Sequence, residues 1–367
     1  MNNLTFVFLR NRKKVLESNL SYAQEFFYGA TLFEDDSFNI KIIEQDEKKS
    51  NKFLNLFDRF NKRFFNIPSN SEKFLSKNNF KTMLNSDHIF FVNETVGYSF
   101  IFFLIYIKIF KKNINSSLFV MGLYSRSPSN KLFSFCHNVF LKILIFCIDN
   151  ILILGKPEYI AAKKFHNNNT KLIYFPFAID TNFWRPDPLV EKKYDVIFVG
   201  NDLNKDFDFV ISLIKKMSHL KFLVVSSNEK FTKLTFNNLK VLNGQWGSEE
   251  ITDEELRIYY LKSKISILPI KETLQPSGQS VALQSMSLKL PLIISSYSGF
   301  WDSDKFIKDK HLYIAENSID LWSEIIEEII EDKDSHIKNI VNKSKELIDS
   351  EFSLNTFKDN LFKVIGI

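Results

Sequence analysis

The sequence is short of glycine and cysteine for a chain of its size. It contains 10 glycines, 2 cysteines and 6 histidines in 367 residues. Cys136 and Cys147 lie in one helix-patterned stretch, about 16 Å apart along a helix axis, so they cannot form a disulfide there. Because His and Cys do not cluster either, the sequence predicts no metal site and no disulfide framework, and it favours a reducing cytoplasm.

Uninterrupted hydrophobic runs of membrane-spanning length are also missing. The apolar run from Val96 to Ile107 ends at Lys108 and falls short of the roughly 20 residues that a spanning helix needs. The stretch 132–154 is broken by polar residues and predicts an amphipathic helix followed by a strand. Two interpretations of these segments stay open: they are buried helices of an α/β domain, or they form a face that dips into a membrane.

Charge is distributed unevenly along the chain. Residues 1–185 carry 25 Lys and Arg against 15 Asp and Glu, a net charge of +10, and the remainder has a net charge of −5. A basic first half attracts an anionic membrane surface or an acidic acceptor, although a solubilising surface explains it equally well. Since no recognisable nucleic-acid-binding module accompanies the charge, we expect no nucleic-acid partner.

Strand-like apolar runs alternate with helix-length segments along the whole chain. This alternation predicts an α/β protein, and the length predicts two domains. The expected strands form two sets of six: Thr5–Leu9, Ile40–Glu44, His88–Val92, Leu118–Met121, Ile151–Leu154 and Leu172–Phe175, then Asp195–Gly200, Phe222–Ser226, Lys240–Leu242, Ile265–Leu268, Leu292–Ser295 and His311–Ile314. Two such sets predict two doubly wound parallel sheets, with a boundary near residues 180–193.

The most informative stretch is 276–294. A Pro-Ser-Gly-Gln turn opens a helix-patterned segment, which Pro291 and a strand-like run follow. A helix N-terminus directs free N–H groups and partial positive charge outward, which suits a diphosphate, and Gly278 permits close approach of the anion. A simple helix-capping role for the turn is the alternative.

This stretch resembles the donor-binding segment of retaining GT-B glycosyltransferases, the glycosyl transferases group 1 or family 4-like type. Gln284-Ser285-Met286-Ser287 stands where that family has Glu-Ala-Met-Ala, and Leu290-Pro291-Leu292-Ile293 resembles its Gly-x-Pro-Val-Ile ending. Four further segments resemble family motifs: 175–186 an interdomain segment, 196–200 the first strand of the second domain, 251–268 the region before the donor turn, and, more loosely, 23–29 near the N-terminus.

The resemblance implies two Rossmann-like domains facing a cleft. Residues 1–185 would form the acceptor-side domain, 186–353 the donor domain, and 354–367 a helix that crosses back to the first domain. The co-substrate would be a nucleotide-diphosphate sugar, with no permanently bound cofactor, and the acceptor a glycan or lipid-linked hydroxyl in polysaccharide biosynthesis. We expect a cytoplasmic enzyme, peripheral on the inner face of the membrane. A GT-B-fold binding protein without turnover, or a membrane-surface scaffold, is the rival interpretation.

The resemblance also assigns candidate donor-binding residues. They are Asn201 and Lys205 in the loop after a strand, where Lys205 would pair with the diphosphate; Ser277, Gly278, Gln279 and Ser280 in the turn; and Gln284. Gln284 stands at the place of a glutamate that accepts hydrogen bonds from the ribose diol, and an amide can accept one such bond.

Candidate catalytic residues are less sharply defined. Glu272 is the nearest carboxylate to the first glutamate of the family pair, although Thr273 and Gln275 could also take that place. Glu94 follows an N-domain strand and is the carboxylate best placed to meet an acceptor, with helix capping as the alternative. No histidine follows the strand that ends near Met121, where many family members have one.

Overall fold

The computed structural model describes residues 2–18, 21–33, 37–46, 51–110, 113–125, 130–165, 171–244, 250–331 and 336–366. The chain divides into two compact units. Unit 1 comprises Met1–Ser18, Phe27–Pro176 and Asn360–Ile367, and unit 2 comprises Asn19–Phe26 and Phe177–Asp359.

Unit 1 is built on a parallel sheet of six strands. The strands are β1 (Asn2–Val7), β2 (Phe38–Ile43), β3 (His88–Phe91), β4 (Asn115–Val120), β5 (Asn150–Ile153) and β6 (Lys171–Tyr174), in the order β2-β1-β3-β4-β5-β6. The helices are α1 (Arg12–Glu17), α2 (Lys52–Phe65), α3 (Ser71–Phe74), α4 (Lys77–Leu84), α5 (Glu94–Ser99), α6 (Ile101–Ile109), α7 (Lys131–Cys147) and α8 (Lys156–Phe165). Strands β3 and β5 are buried along their whole length, as parallel strands covered on both faces must be.

Unit 2 contains a second parallel sheet of six strands. They are β7 (Tyr194–Val199), β8 (Phe222–Val225), β9 (Leu239–Leu242), β10 (Ser263–Leu268), β11 (Leu292–Ser295) and β12 (Tyr313–Ala315), in the order β12-β11-β10-β7-β8-β9. The helices are α9 (Phe207–Lys216), α10 (Glu229–Thr232), α11 (Asp253–Leu261), α12 (Gln279–Ser287), α13 (Ile319–Glu331), α14 (His336–Glu351) and α15 (Leu354–Ile365), the last of which ends in unit 1. The chain reverses its strand order between β7 and β10, where open α/β sheets bind ligands.

The structure confirms the expected fold class. Each of the twelve expected strands overlaps an observed one, and they assort into two parallel sheets of six in the predicted halves of the chain. Within the described residues, no helix has both the length and the apolar character needed to cross a membrane.

The units divide nearer to residue 176 than to the expected residue 185. The backbone of Ile179 pairs with Ser353, and its N–H donates to the carbonyl of Phe352 at 2.9 Å. Trp184 is fully buried, and its carbonyl accepts a bond from the Ser287 hydroxyl at 2.6 Å. Residues 177–185 therefore pack as part of unit 2. Unit 1 in turn includes Asn360–Ile367 from the end of the expected cross-over helix.

Candidate functional site

A cavity of about 280 Å³ opens at the carboxyl end of β7, at the strand-order reversal of unit 2. Five predicted donor-site residues line it, namely Asn201, Lys205, Gly278, Ser280 and Gln284. The rest of the lining comes from the ends of β7 and β8, from the start of α11 and from Phe26. The cavity thus occupies the position at which Rossmann-like sheets hold nucleotides.

Helix α12 begins in this cavity without a side-chain cap. Its N-cap is Gly278, which has φ +83° and makes no capping hydrogen bond through a side chain. A Cβ atom at this position would lie 2.7 Å from Leu268 Cδ2 and 3.1 Å from Lys205 Nζ. The turn therefore requires glycine both for its left-handed backbone and for space, and no side chain caps the start of the helix.

Lys205 places a buried ammonium beside this helix start. The residue is 1% exposed, and Nζ lies 3.0 Å from Asp202 Oδ2 and 3.2 Å from Ser277 Oγ. Burial lowers the pKa of Lys205, while Asp202 counteracts that effect. A cation next to the positive end of a helix is electrostatically unfavourable unless an anion lies close by, and in the structure Asp202 is that anion for Lys205.

Ser277 completes this arrangement. Its hydroxyl lies between Lys205 Nζ and Asp202, and it donates to Asp202 Oδ1 at 3.0 Å. Its carbonyl accepts a bond from the Tyr297 hydroxyl at 2.7 Å. Ser277 therefore links the turn to the side chain of Lys205.

Asn201 has a structural role besides lining the cavity. Its side-chain oxygen accepts bonds from the Ser227 N–H at 2.6 Å and from the hydroxyls of Ser226 and Ser227, and its amide nitrogen donates to the Gly244 carbonyl at 2.6 Å. These bonds join the loops that follow three neighbouring strands. Asn201 thus fixes the floor of the cavity.

Gln284 contacts a residue that the sequence did not single out. Its amide nitrogen donates to Glu25 Oε1 at 2.9 Å, and the indole nitrogen of Trp184 donates to the same oxygen at 2.7 Å. The N–H of Asp180 donates to Glu25 Oε2 at 3.3 Å. With its nitrogen held by Glu25, the Gln284 amide has its oxygen left as the acceptor.

Glu25 is itself an unusual carboxyl group. It is 2% exposed, and burial raises its pKa to about 7, against the lowering effect of the hydrogen bonds from Gln284 and Trp184. Asp253, on the cavity lining, adds to the rise in this pKa. The segment 23–29 resembled the family only loosely, and nothing in its pattern indicated that Glu25 would meet a helix 259 positions later.

The remaining predicted residues of unit 2 lie at the margins. Gln279 is buried in the first turn of α12, outside the cavity lining. Glu272 is exposed, and it accepts hydrogen bonds from the N–H and the hydroxyl of Ser298. The structure therefore engages Glu272 with a loop outside the cavity lining, and its catalytic role stays a prediction.

Glu94 belongs to unit 1 and starts helix α5 at the carboxyl end of β3. It is 4% exposed, and the neighbouring Asn93 caps the helix by accepting a bond from the Val96 N–H at 3.0 Å. Burial raises the pKa of Tyr28 to about 12, an effect that Arg12 opposes and Glu94 reinforces. Capping is thus the work of Asn93, and Glu94 lies in a polar cluster where the strand order of this sheet reverses between β1 and β3. Its role with an acceptor stays a prediction.

The described part of the chain contains no evident metal-binding centre. No group of three or more His, Cys, Asp or Glu side chains there could hold a metal ion. The positive charge at the cavity comes from Lys205 and the start of α12.

In the comparison with known proteins, a family model matches most of unit 2. Residues 180–347 match the family described as Glycosyl transferases group 1. No curated protein sequence matches the chain.

Solved structures resemble the chain over nearly its whole length. Sucrose-phosphate synthase from Thermosynechococcus elongatus aligns with a TM-score of 0.69 at 10% identity, covering 99% of this chain and 98% of that one. Anabaena Alr3699/HepE in complex with UDP-glucose gives 0.65 at 12% identity, covering 99% of each chain. A glycosyltransferase from Rickettsia africae ESF-5 gives 0.64 at 12% identity, covering 99% and 97%.

These likenesses establish the fold as that of GT-B glycosyltransferases, with two parallel α/β sheets. The family match and the fold together support a GT-B glycosyltransferase.

Proposed function

We propose that the protein is a glycosyltransferase that moves a hexosyl group from a nucleotide-diphosphate sugar to a hydroxyl of a glycan or lipid-linked acceptor, with retention of anomeric configuration. One observation carries the proposal. The buried ammonium of Lys205 and the uncapped start of α12 meet in the cavity at the strand-order reversal of unit 2. That combination fits the diphosphate of a departing nucleotide.

The cavity residues take separate parts in this chemistry. The bond from the anomeric carbon to the diphosphate oxygen breaks, and the negative charge that develops there is stabilised by Lys205 and the N–H groups that follow Gly278. The acceptor oxygen forms the new bond to the anomeric carbon, and its proton passes to the carboxylate of Glu94. The oxygen of Gln284, oriented by Glu25, accepts a hydrogen bond from the ribose. Glu94 is the carboxylate of unit 1 that we assign to the acceptor hydroxyl.

Uridine diphosphate is the first nucleotide to test. Anabaena Alr3699/HepE, which shares this fold at 10–12% identity, is described in complexes with UDP, UDP and glucose, and UDP-glucose. We propose the same class of donor for this chain, in the cytoplasm and in polysaccharide biosynthesis.

A binding protein without turnover is the second candidate. Two departures from the family favour it: Gln284 replaces a carboxylate, and β4 is followed by Met121, Gly122 and Leu123 with no histidine. The contact between Gln284 and Glu25 argues against it, because it keeps a carboxylate adjacent to the site.

A thermal-shift panel tests the proposal directly. UDP, GDP, ADP, uridine and pyrophosphate are compared, and one diphosphate at 100 times its dissociation constant should add about 2.7 kcal/mol of stability. That gain corresponds to roughly 5–10 °C in a unit of this size. The absence of a shift with every nucleotide contradicts the proposal. A shift without sugar transfer or hydrolysis of the matching nucleotide sugar identifies the binding protein instead.

A further inference from the structure

Helix α2 of unit 1 is amphipathic, and part of its apolar side is exposed. Phe53, Leu56 and Phe60 are 76%, 68% and 48% exposed, whereas Asp58 and Asn61 are buried. A helix that packs on a protein core normally does the reverse. The outward side of α2 is therefore suited to a second apolar phase.

Asp58, on the inward side of α2, accepts two hydrogen bonds. Asp58 accepts the Ser69 hydroxyl at 2.5 Å and the Glu72 N–H at 3.2 Å. These bonds fix the rotation of the helix, because turning it would expose Asp58 at the cost of both bonds. The apolar residues are thus held outward by the fold.

Helix α7 also exposes apolar residues, although it buries others on its inward side. Leu132, Phe135 and Phe146 are 66%, 66% and 69% exposed, and they lie along one side of the helix. His137 is buried on the opposite side, where Nδ1 lies 2.7 Å from the carbonyl oxygen of Phe65. The exposed residues of α7 form a stripe that runs from Leu132 to Phe146.

Helix α6 joins these two surfaces into one. Phe102 and Ile109 are 49% and 66% exposed. The rings of Phe57 and Phe102 lie 5.4 Å apart between α2 and α6, and the Lys108 ammonium lies 5.7 Å from the ring centre of Phe146 on α7. We call the outward sides of α2, α6 and α7, with these exposed apolar residues, the outer face.

The charges on these three helices are almost all positive. They contain one acidic residue, the buried Asp58, and seven basic ones: Lys52, Arg59, Lys62, Arg63, Lys108, Lys131 and Lys142. On α2 the exposed Arg59 and Arg63 lie on the same side as Leu56, at helical spacing. An interfacial helix combines aromatic and basic residues in this way.

Two apolar grooves run beside α6. One, of about 680 Å³, lies between α6 and α7 and has Lys108 and Lys142 in its lining. The other, of about 690 Å³, lies between α4 and α6 and includes Lys77 and Lys81. Each groove offers hydrocarbon contact next to an ammonium, which matches an acyl chain below an anionic headgroup.

We propose that the outer face docks on a lipid bilayer that contains anionic phospholipid. The apolar side chains enter the headgroup region, and the basic ones contact lipid phosphates. A second copy of the chain fits poorly, because pairing two outer faces would oppose two sets of basic residues. The proposal does not rest on the proposed enzymatic function.

Vesicle co-sedimentation of the full chain tests it. We expect binding to phosphatidylcholine vesicles that contain phosphatidylglycerol, weak binding to phosphatidylcholine alone, and weakening by salt. The variant Phe53→Ser/Leu56→Ser/Phe60→Ser should lose about tenfold or more in partition, since it removes apolar groups that the bilayer would bury. Arg59→Gln/Arg63→Gln should lose a comparable factor through charge alone, about 1 kcal/mol per cation.

A matched control comes from unit 2. Leu189, Ile307 and Leu321 are also exposed apolar residues, at 92%, 45% and 38%. The triple serine variant at those positions should bind vesicles as the wild type does. Equal partition of the Phe53, Leu56 and Phe60 variant and the wild type, or no binding to anionic vesicles, overturns the proposal. The proposal is also overturned if the wild type forms a dimer in solution, the variant dissociates it, and vesicles bind neither protein.

The same samples keep this result separate from the enzymatic proposal. The thermal shift with UDP should be unchanged in the outer-face variants, because the cavity belongs to unit 2. If the protein binds vesicles but no nucleotide raises its melting temperature, the docking surface is supported and the glycosyltransferase proposal is contradicted.

Discussion

Helix α13 of unit 2 and helix α2 of unit 1 differ in which side chains they bury. In unit 2, α13 buries Trp322, Ile326 and Ile329 and exposes Glu324 and Glu328, as a helix covering a sheet should. In unit 1, α2 exposes phenylalanine and arginine and buries Asp58. Both units have a parallel sheet of six strands. The reversal is therefore a property of the helical layer and points to a surface of unit 1 that meets something other than water.

Unit 2 departs from the usual pattern in its interior. Lys205, Glu25 and Gln284 are at most 3% exposed, and they lie beside or within the lining of one cavity. Burial of an ionisable group costs several kcal/mol unless partners compensate it. In unit 2 the buried polar groups lie where we propose that a ligand binds. In unit 1 the exposed apolar surface lies where we propose that a bilayer binds. The predictions below test the cavity side of this comparison.

Replacement of Gly278 by valine should have the largest effect. The new side chain would sit at φ +83°, collide with Leu268 and lie against Lys205 Nζ, so we expect nucleotide binding to be abolished. Strain of about 1–2 kcal/mol accompanies a left-handed residue, so the melting temperature of unit 2 should fall as well. Binding is measured by calorimetry with UDP.

Gly366→Val is the matched control for this backbone strain. Gly366 has φ +81°, and a Cβ there would meet nothing within 4 Å. This variant should keep full nucleotide affinity. Equal affinity of the Gly278 and Gly366 variants for UDP would show that the turn does not contribute to nucleotide binding.

The sequence predicts the turn at Gly278 and the position of Lys205, but it does not predict the residues that pack beside them. The twelve strands are predictable because parallel strands buried on both faces are continuous apolar runs, and the rule for strand ends brings the loop of Lys205 to the turn of Gly278. The contact of Glu25 with Gln284 spans 259 positions and depends on how the segment before Phe26 packs in unit 2. Periodicity indicates that α2 is amphipathic, but hydrogen bonds to Asp58 decide which side faces inward.

Loss of the Lys205 charge should have the next largest effect. Lys205→Met preserves most of the side-chain volume and should weaken UDP binding by about 1.5–3 kcal/mol, the range for hydrogen bonds to charged groups. Uridine, which lacks phosphate, should lose much less. Lys230→Met, at an exposed ion pair with Asp208, is the control and should change neither affinity. Equal losses for uridine and UDP would show general damage to the cavity.

An exchange of Glu25 and Gln284 tests whether this pair of residues orients the nucleoside. Gln284→Glu alone places a second carboxyl group against Glu25 and near Asp253, so mutual repulsion should weaken uridine and UDP binding by the same factor, about tenfold. Glu25→Gln/Gln284→Glu restores one carboxyl and one amide and should recover most of the affinity. No recovery in the exchange variant would mean that the pair does not orient the nucleoside.

The last expected effect is on stability, not on binding, and is the part of the pH dependence that Glu25 contributes. Its pKa rises from 4.5 to about 7 on folding, so between these values the folded state binds more protons than the unfolded state. Stability from this group is therefore fully present below about pH 4.5 and is lost as pH rises through about 7, with a slope of at most about 1.4 kcal/mol per pH unit. Glu25→Gln keeps an oxygen for Trp184 and Gln284 and cannot titrate. The free energy of unfolding of the wild type, measured in urea from pH 5 to 8, should fall relative to that of Glu25→Gln. Parallel curves for the two proteins would show that Glu25 is ionised in the folded state throughout this range.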